Sequence, residues 1–234
     1  MRAGDATMRA NSTAVASVRQ SRPLSDWVGC ACFAAFALLF PLTAGRFGLL
    51  LLPPMLYELA VAVTFLIRGR ARRSLQGAVP RAAAYLATFW MPLFFWIALR
   101  WAPNLVPSSP SGTLRMAGAS LWLFGSVIAF WPVWHLRRSF SIEPAARELR
   151  TDGPYRVARH PIYATQILIY TGVFLLRASP VAGLALLGWL GVVRVRIGYE
   201  ERILREEYPE YELYRSCVGA FGPWPAARHA TPAR

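Results

Sequence analysis

Two stretches of the chain gather the side chains able to do acid–base or ion-pair chemistry. The first runs Glu148-Leu149-Arg150-Thr151-Asp152-Gly153-Pro154-Tyr155 and resumes as Arg159-His160-Pro161-Ile162-Tyr163. The second begins at Arg194 and Arg196 and continues through Glu200-Glu201, Leu204, Tyr208, Tyr211 and Tyr214. On a helix Arg196 and Glu200 stand four residues apart and share a face, and Glu201 stands in the same relation to Arg205. A guanidinium such as Arg196 can grip a carboxylate through two parallel N–H bonds. A carboxylate or imidazole such as Glu200 or His160 can take up a proton once its surroundings tune its pKa. Taken one at a time these features have an ordinary explanation, because a basic loop beside an apolar helix and a Glu/Arg-laced helix are commonly a topology signal and a solvated face.

What gives them weight is the segment that joins them. Two apolar runs, 162–176 and 178–193, are separated by Arg177 and an Ala178-Ser179-Pro180 turn, which predicts a short antiparallel helical hairpin. A hairpin returns the chain to the face it left, about 8 to 10 Å away. Arg159 and His160 are therefore expected beside Arg196 and Glu200. Asp152-Gly153-Pro154 is a turn signal in which glycine leaves backbone amides open to close approach by a ligand. Pro161 is suited to the first position of the hairpin's first helix, with the amides of the next turn open towards an anion or polar cofactor.

The rest of the chain is what must hold these stretches. It has 234 residues, 55% of them hydrophobic, and a net charge of +14 carried on the basic side entirely by arginine. Apolar runs at 27–45, 47–67, 82–99 and 116–134 approach the roughly twenty residues that cross a bilayer. Aromatic residues sit near their ends, where amphipathic rings favour the interface. The expected fold is thus all-α and membrane-integral: four transmembrane helices, the C-terminal short hairpin making five to six spans, and a cytoplasmic C-terminal helix. Residues 1–135 form the N-terminal arm and four spans. Residues 136–234 form the polar loop, the hairpin and the final helix, the whole being one membrane-embedded unit.

Pro53-Pro54, Pro92 and Pro132 fall within the predicted spans and are expected to kink them. Glu58 falls near the middle of the second, as a contact between helices or as part of a substrate passage. Arginines alternate between rich loops (Arg2, Arg9, Arg19 and Arg22; then 68–81; then 137–159) and poor ones holding Arg46, then Arg100 and Arg115, then Arg177. This places both termini in the cytoplasm, and the Arg-for-Lys bias suggests a bacterial inner membrane. Because the arginines lie between apolar runs and are not interleaved with aromatics on a polar face, nucleic acid is not an expected partner. Cys30, Cys32 and Cys217 assemble neither a disulfide framework nor a four-ligand zinc site, so no metal is expected, and His229 lies in a polar tail.

The strings themselves resemble a known family. Residues 148–163 read Glu-Leu-Arg-Thr-Asp-Gly-Pro-Tyr, three intervening residues, then Arg-His-Pro-Ile-Tyr, and Glu200-Glu201-x-x-Leu204 is followed by Tyr211-x-x-Tyr214. Together they are similar to the C-terminal signature of the isoprenylcysteine carboxyl methyltransferase and phospholipid methyltransferase superfamily, over residues 136–223. Tyr208-Pro209 and Gly219-Ala220-Phe221 depart from the usual pattern. The resemblance implies an S-adenosylmethionine-dependent methyltransferase whose lipid-like or isoprenoid acceptor arrives from the bilayer. It implies a strand-like run of Arg147, Glu148, Leu149 and Arg150 contacting the cofactor largely through backbone groups. Tyr155, His160, Pro161, Ile162 and Tyr163 would line the same pocket, Glu200 would hold a polar part of the cofactor, and Arg196 would face the acceptor beside Arg159. The acceptor stays open among a carboxylate, a phenol, a thiol and an amine, as does the oligomeric state. The second reading is an NADPH-dependent membrane sterol or enone reductase, against which Ile162 counts because such enzymes usually carry Asn there; the third is a non-enzymatic membrane protein.

Overall fold

The computed structural model describes residues 24–44, 52–69, 71–75, 77–101 and 110–223. The N-terminal arm, residues 47–51 of the second predicted span, and His229 lie outside them. The described chain is built from helices: α1 (Leu24–Ala44), α2 (Leu52–Ile67), α3 (Ala78–Trp101), α4 (Gly112–Leu136), α5 (Pro161–Arg177), α6 (Pro180–Glu207) and α7 (Tyr211–Cys217). Between them lies a two-residue antiparallel bridge of β1 (Arg73–Ser74) with β2 (Ala145–Ala146). Segment Gly112–Ser139 and α6 are each long and apolar enough to cross a membrane, and Asp26–Leu38 and Leu52–Ile67 are shorter apolar helices. Their outward faces carry large apolar side chains such as Leu184 and Met116, 69% and 74% exposed, as lipid contact requires.

The hairpin differs from its expected form. Its first arm, α5, is 17 residues, but the second is a single 28-residue helix that carries on from the apolar run through Arg196, Glu200 and Glu201. No Gly-Pro break interrupts that passage, so the reactive second stretch is rigidly continuous with an apolar helix. The proline expectation is corrected too. Pro53 and Pro54 lie in the first turn of α2, where a missing N–H costs nothing, whereas Pro92 and Pro132 are inside α3 and α4.

Packing without a water-driven hydrophobic effect relies on close backbone approach and on satisfied polar groups. Helices α4 and α5 meet through Gly118 and Gly172: a Cβ on Gly172 would lie 2.5 Å from the amide nitrogen of Trp122 and 2.7 Å from the carbonyl of Gly118. Helices α3 and α6 exchange indole hydrogen bonds, with Trp189 donating to the Ala87 carbonyl (2.8 Å) and Trp90 to that of Ala185 (3.0 Å). Asp26 at the start of α1 is ion-paired with Arg68 just past the end of α2, so these ends share one face of the molecule. The same face carries the β1–β2 bridge, the hydrogen bond from the Gly69 amide to Arg138 (2.8 Å), and the 3-10 turn Gly153–Arg156. Among the described residues, the arginine-bearing segments that follow α2 and α4 are thereby collected at one end of the helices, beside the cavity that opens between them.

Candidate active site

Helix α5 starts at Pro161, as its fixed φ and missing N–H favour, and His160 occupies the N-cap position without a side-chain cap. Just before it, the amides of Arg159 and His160 donate to the carbonyls of Gly219 and Ala220 (both 2.9 Å), which ties the entry of α5 to the segment after α7. The last turns of α6 face this entry. Arg159 donates through Nε to Glu201 Oε1 (3.1 Å) and through Nη1 to the carbonyl of Arg215 (3.0 Å) and to that of Val218. His160 places Nε2 3.1 Å from Glu201 Oε1 and Nδ1 3.8 Å from Glu200 Oε2. Arg215 closes the cluster at 3.3 Å from Glu201 Oε2. Glu201 is therefore a buried hub for two guanidiniums and an imidazole.

Its pairing corrects the sequence expectation. Arg205 donates to the backbone carbonyl of Glu201, not to its carboxylate, and Arg159 meets Glu201 where Glu200 was expected. The signal was present: Trp189, Val193, Ile197 and Glu201 follow one another at intervals of four, so Glu201 continues the buried ridge of α6.

Glu200, one position away, turns to the cavity. Its Oε1 accepts from the Tyr163 hydroxyl (2.6 Å) and from Arg196 Nε (2.9 Å). Arg196 also donates Nη1 to the Ala84 carbonyl (3.1 Å) and Thr88 Oγ1 (2.8 Å), and Nη2 to the Ser141 carbonyl (3.3 Å). Four of its five N–H groups are thus committed inside the protein. The two-pronged grip on a carboxylate substrate expected of Arg196 has no free fork to make it; the residue works as a brace between α3, α6 and the 137–147 segment, with Tyr163 under its guanidinium at 5.4 Å.

All twelve site residues expected from the sequence line one cavity: Arg147, Glu148, Leu149 and Arg150; Tyr155; Arg159, His160, Pro161, Ile162 and Tyr163; Arg196 and Glu200. Residues 147–150 are not a strand, since the bridge ends at Ala146, but their chain is fixed by the Tyr208 hydroxyl on the Arg147 carbonyl (3.0 Å) and by Arg150 on Glu148 (2.8 Å). Burial lowers the Arg147 guanidinium to about 10, with Arg68 adding repulsion. Burial, then the Glu200 carboxylate, pushes the Tyr155 phenol well above its ordinary range, so it stays neutral. The Tyr214 phenol, raised to about 12 by burial against the opposing pull of Arg159, donates to the Tyr155 carbonyl (2.6 Å).

Gly153 is not among the residues that line this cavity. Its backbone is left-handed (φ 55°), and a Cβ there would fall 2.4 Å from the ring of His135, which covers that face. Of the cavity's other wall the sequence reading picked out only Glu58, which the structure does place on the lining. Phe33 and Phe36 from α1, Tyr57 from α2 and Thr88 from α3, none within a recognisable string, line it as well. The cavity thus runs from an ionic end at Arg147–Arg159 to an aromatic end between α1, α2 and α5.

Among the described residues, five buried side-chain polar atoms have no hydrogen-bond partner: Ser139 Oγ, Arg147 Nε, Arg150 Nε, Gln166 Oε1 and Tyr211 Oη. All five belong to residues that line this cavity. Buried polar groups are normally satisfied, and orphans confined to one cavity wall mark where a polar ligand fits. The donor set suits a zwitterionic nucleoside-like molecule, with guanidiniums for carboxylate or ring acceptors and the Glu200 carboxylate for an ammonium or ribose hydroxyls.

Residues 114–211 match the phospholipid methyltransferase family (PEMT), which belongs to the superfamily of isoprenylcysteine carboxyl and phospholipid methyltransferases. The match opens earlier than the sequence resemblance, in α4, and closes at the first residue of α7. It implies methyltransferase activity, and together with the apolar helices it fits a membrane protein. No curated protein matches the chain.

Proposed function

Taking residues 114–211 as a phospholipid methyltransferase segment, we propose that this protein transfers a methyl group from S-adenosylmethionine to a lipid-like acceptor at the arginine-rich face of a bilayer, with that face cytoplasmic in a bacterial inner membrane. The observation that carries the reading is the confinement of every orphaned buried polar side-chain atom, among the described residues, to the wall of the cavity that also holds both motif stretches. S-adenosylmethionine supplies, when bound, an electrophilic methyl group on a sulfonium.

The ionic end suits the cofactor. Glu200 Oε1 is taken by Tyr163 and Arg196, which leaves Oε2 to hold an ammonium or hydroxyl. Arg147, Glu148, Leu149 and Arg150 offer backbone groups and guanidinium N–H on one side, and Tyr155 with residues 160–163 closes the other. The aromatic end suits an apolar chain entering from between the helices. Methyl transfer is an in-line displacement, so the protein's task is alignment and exclusion of water, for which a cavity roofed by α7 and walled by helices is fitted. An acceptor that must lose a proton finds two groups able to receive it on the wall, Glu200 Oε2 and His160 Nδ1.

The direct test is cofactor binding by the purified chain in detergent. Radiolabelled S-adenosylmethionine is expected to bind and NADPH to leave it undisplaced. Binding of NADPH in its place would move the protein to the reductase reading and end this one.

A further inference from the structure

The outer surface of α4 ends in a group of side chains that the cavity does not use. Phe124, Val127, Trp131 and Trp134 recur at intervals of three and four, each about half exposed or more, and form a stripe of α4 turned to lipid. None of them lines the cavity. The last two are indoles near the end of the helix, and such rings favour the boundary between acyl chains and headgroups. His135 meets the first edge-on, with its ring 6.0 Å from that of Trp131. Arg137 covers the second: its guanidinium lies 4.5 Å from the centre of the Trp134 ring, and its Nε donates to the Trp134 carbonyl (2.9 Å).

The backbone bends to allow this. Arg137 caps α4 at φ 30° and ψ −100°, a combination that a residue with a Cβ adopts only at a steric cost. It is held there by its own amide on the Val133 carbonyl, by the Phe140 amide on its carbonyl (3.2 Å), and by the Gly69 amide on the carbonyl of Arg138 (2.8 Å). Strain of this kind persists where the surroundings over-determine it, and it gathers at ligand clamps. What the bend delivers is a set of donors without acceptors. Both Nη groups of Arg137 and the indole N–H of Trp131 and of Trp134 have no partner among the described residues. Neither Arg137 nor the exposed Arg138 is ion-paired with a described carboxylate, and Asp152, beside the Gly153 that His135 covers, pairs with neither.

The ligand this fits is an anion with an apolar tail. A phosphate satisfies the guanidinium fork and the indole N–H groups, and an acyl chain then has the Val127 and Phe124 side chains to lie along, over about 15 Å of helix. A zwitterionic head brings an ammonium as well. That group finds no carboxylate here, and one face of Trp134, an aromatic seat for a cation, is already covered by Arg137. We propose that Trp131, Trp134 and Arg137 form a site for the head of an anionic phospholipid of the bilayer, on the outside of α4 and separate from the cavity of the methyl acceptor. The bound lipid buttresses the turn Arg137–Ser139, from which the chain runs on to the Ser141 carbonyl that accepts from Arg196.

The probes are dioleoylphosphatidylglycerol and dioleoylphosphatidylcholine, added singly to the purified full chain in a non-ionic detergent. Bound lipid is counted by native mass spectrometry, and melting is followed in parallel. Wild type is expected to retain the anionic lipid at least about fivefold more than the zwitterionic one and to melt higher with it. Arg137→Gly removes the guanidinium and relieves the positive φ, so it should melt like wild type without lipid and bring that ratio to within about twofold. Trp134→Leu keeps the charge, loses the ring that holds it, and should lower the ratio too; it decides the matter should Arg137→Gly fail to fold. Arg194→Ala removes an exposed arginine from α6 and should leave the ratio unchanged. Equal retention of the two lipids by wild type overturns the proposal, as does a preference that survives in both Arg137→Gly and Trp134→Leu. A loss in Arg194→Ala as large as in Arg137→Gly overturns it as well, because the preference then belongs to net charge and not to this site. Soluble glycerol phosphate should not displace the anionic lipid, and displacement at equal concentration would remove the bilayer lipid as the occupant.

Discussion

Glu200 and Glu201 are neighbours in sequence and identical in chemistry, yet the two faces of α6 they occupy do different things. The face of Glu201 is sealed: its carboxylate is 9% exposed and meets Arg159, His160 and Arg215, tying the entry of α5 to α7. The face of Glu200 is open to the cavity, with its side chain 22% exposed and one oxygen committed to Tyr163 and Arg196. A helix advances 100° per residue, so one position decides whether a carboxylate is a clamp or a ligand group. The difference teaches that a paired-Glu string encodes two functions, and substitutions at each should fail in different measurements.

The largest effect is expected at Glu201. Glu201→Ala strands Arg159, itself 9% exposed, beside two backbone carbonyls with no counter-charge. Removing one partner of a buried pair costs about 3 to 5 kcal/mol. Thermal unfolding in detergent should fall sharply, and limited proteolysis should cut first near residues 215–220, where the clamp holds the chain. A variant with wild-type melting and wild-type proteolysis would mean that Glu201 is not the hub. Glu201→Gln keeps an acceptor for Arg159 and His160 and should lie between the two.

At Glu200 the same kind of change should spare the fold and strike binding. Glu200→Gln retains a carbonyl oxygen for Tyr163 and Arg196 but removes the charge that faces the cavity. Loss of a charge-assisted contact is worth about 1.5 to 3 kcal/mol, so S-adenosylmethionine affinity should drop roughly tenfold to a hundredfold, with melting little changed. If instead melting collapses and affinity of the surviving protein is normal, Glu200 braces Arg196 and nothing more, and the contrast between the two faces disappears.

How much of this could be read from residues alone follows the same division. The motif stretches and the helical return between them were legible, because Arg159-His160-Pro161 and Arg196 to Glu200 carry both chemistry and spacing, and their side chains do line one cavity. The inward turn of Glu201 was legible in principle from the Trp189, Val193, Ile197 ridge, and was missed because the Glu201 and Arg205 pair offered a simpler local partner. The commitment of Arg196 to Ala84, Thr88 and Ser141 was not legible, since those partners lie 55 to 112 residues away and two of them are backbone carbonyls. Nor was the cover over Gly153, which comes from His135 on a different helix. Local periodicity sets what a helix can present; the rotation of its neighbours sets what is used.

The smallest effect is expected at Glu206, on the same helix as both glutamates and outside the matched string. Its carboxylate accepts from Arg202 Nε at 2.9 Å across one turn, and the Arg202 side chain is 64% exposed. An i, i+4 pair of this kind gains little Coulomb energy in water and gives up side-chain freedom to form, so it contributes about 0.3 to 0.5 kcal/mol. Glu206→Ala should therefore leave melting within about 0.5 kcal/mol of wild type and S-adenosylmethionine affinity within about twofold. Its worth lies in the comparison. Glu200, Glu201 and Glu206 share one helix and one side-chain chemistry, and differ in what stands opposite. Three equal small effects would make the end of α6 an ordinary solvated face, whereas a graded series, fold for Glu201, binding for Glu200 and neither for Glu206, follows only if burial and partners, not the presence of a carboxylate, assign the roles.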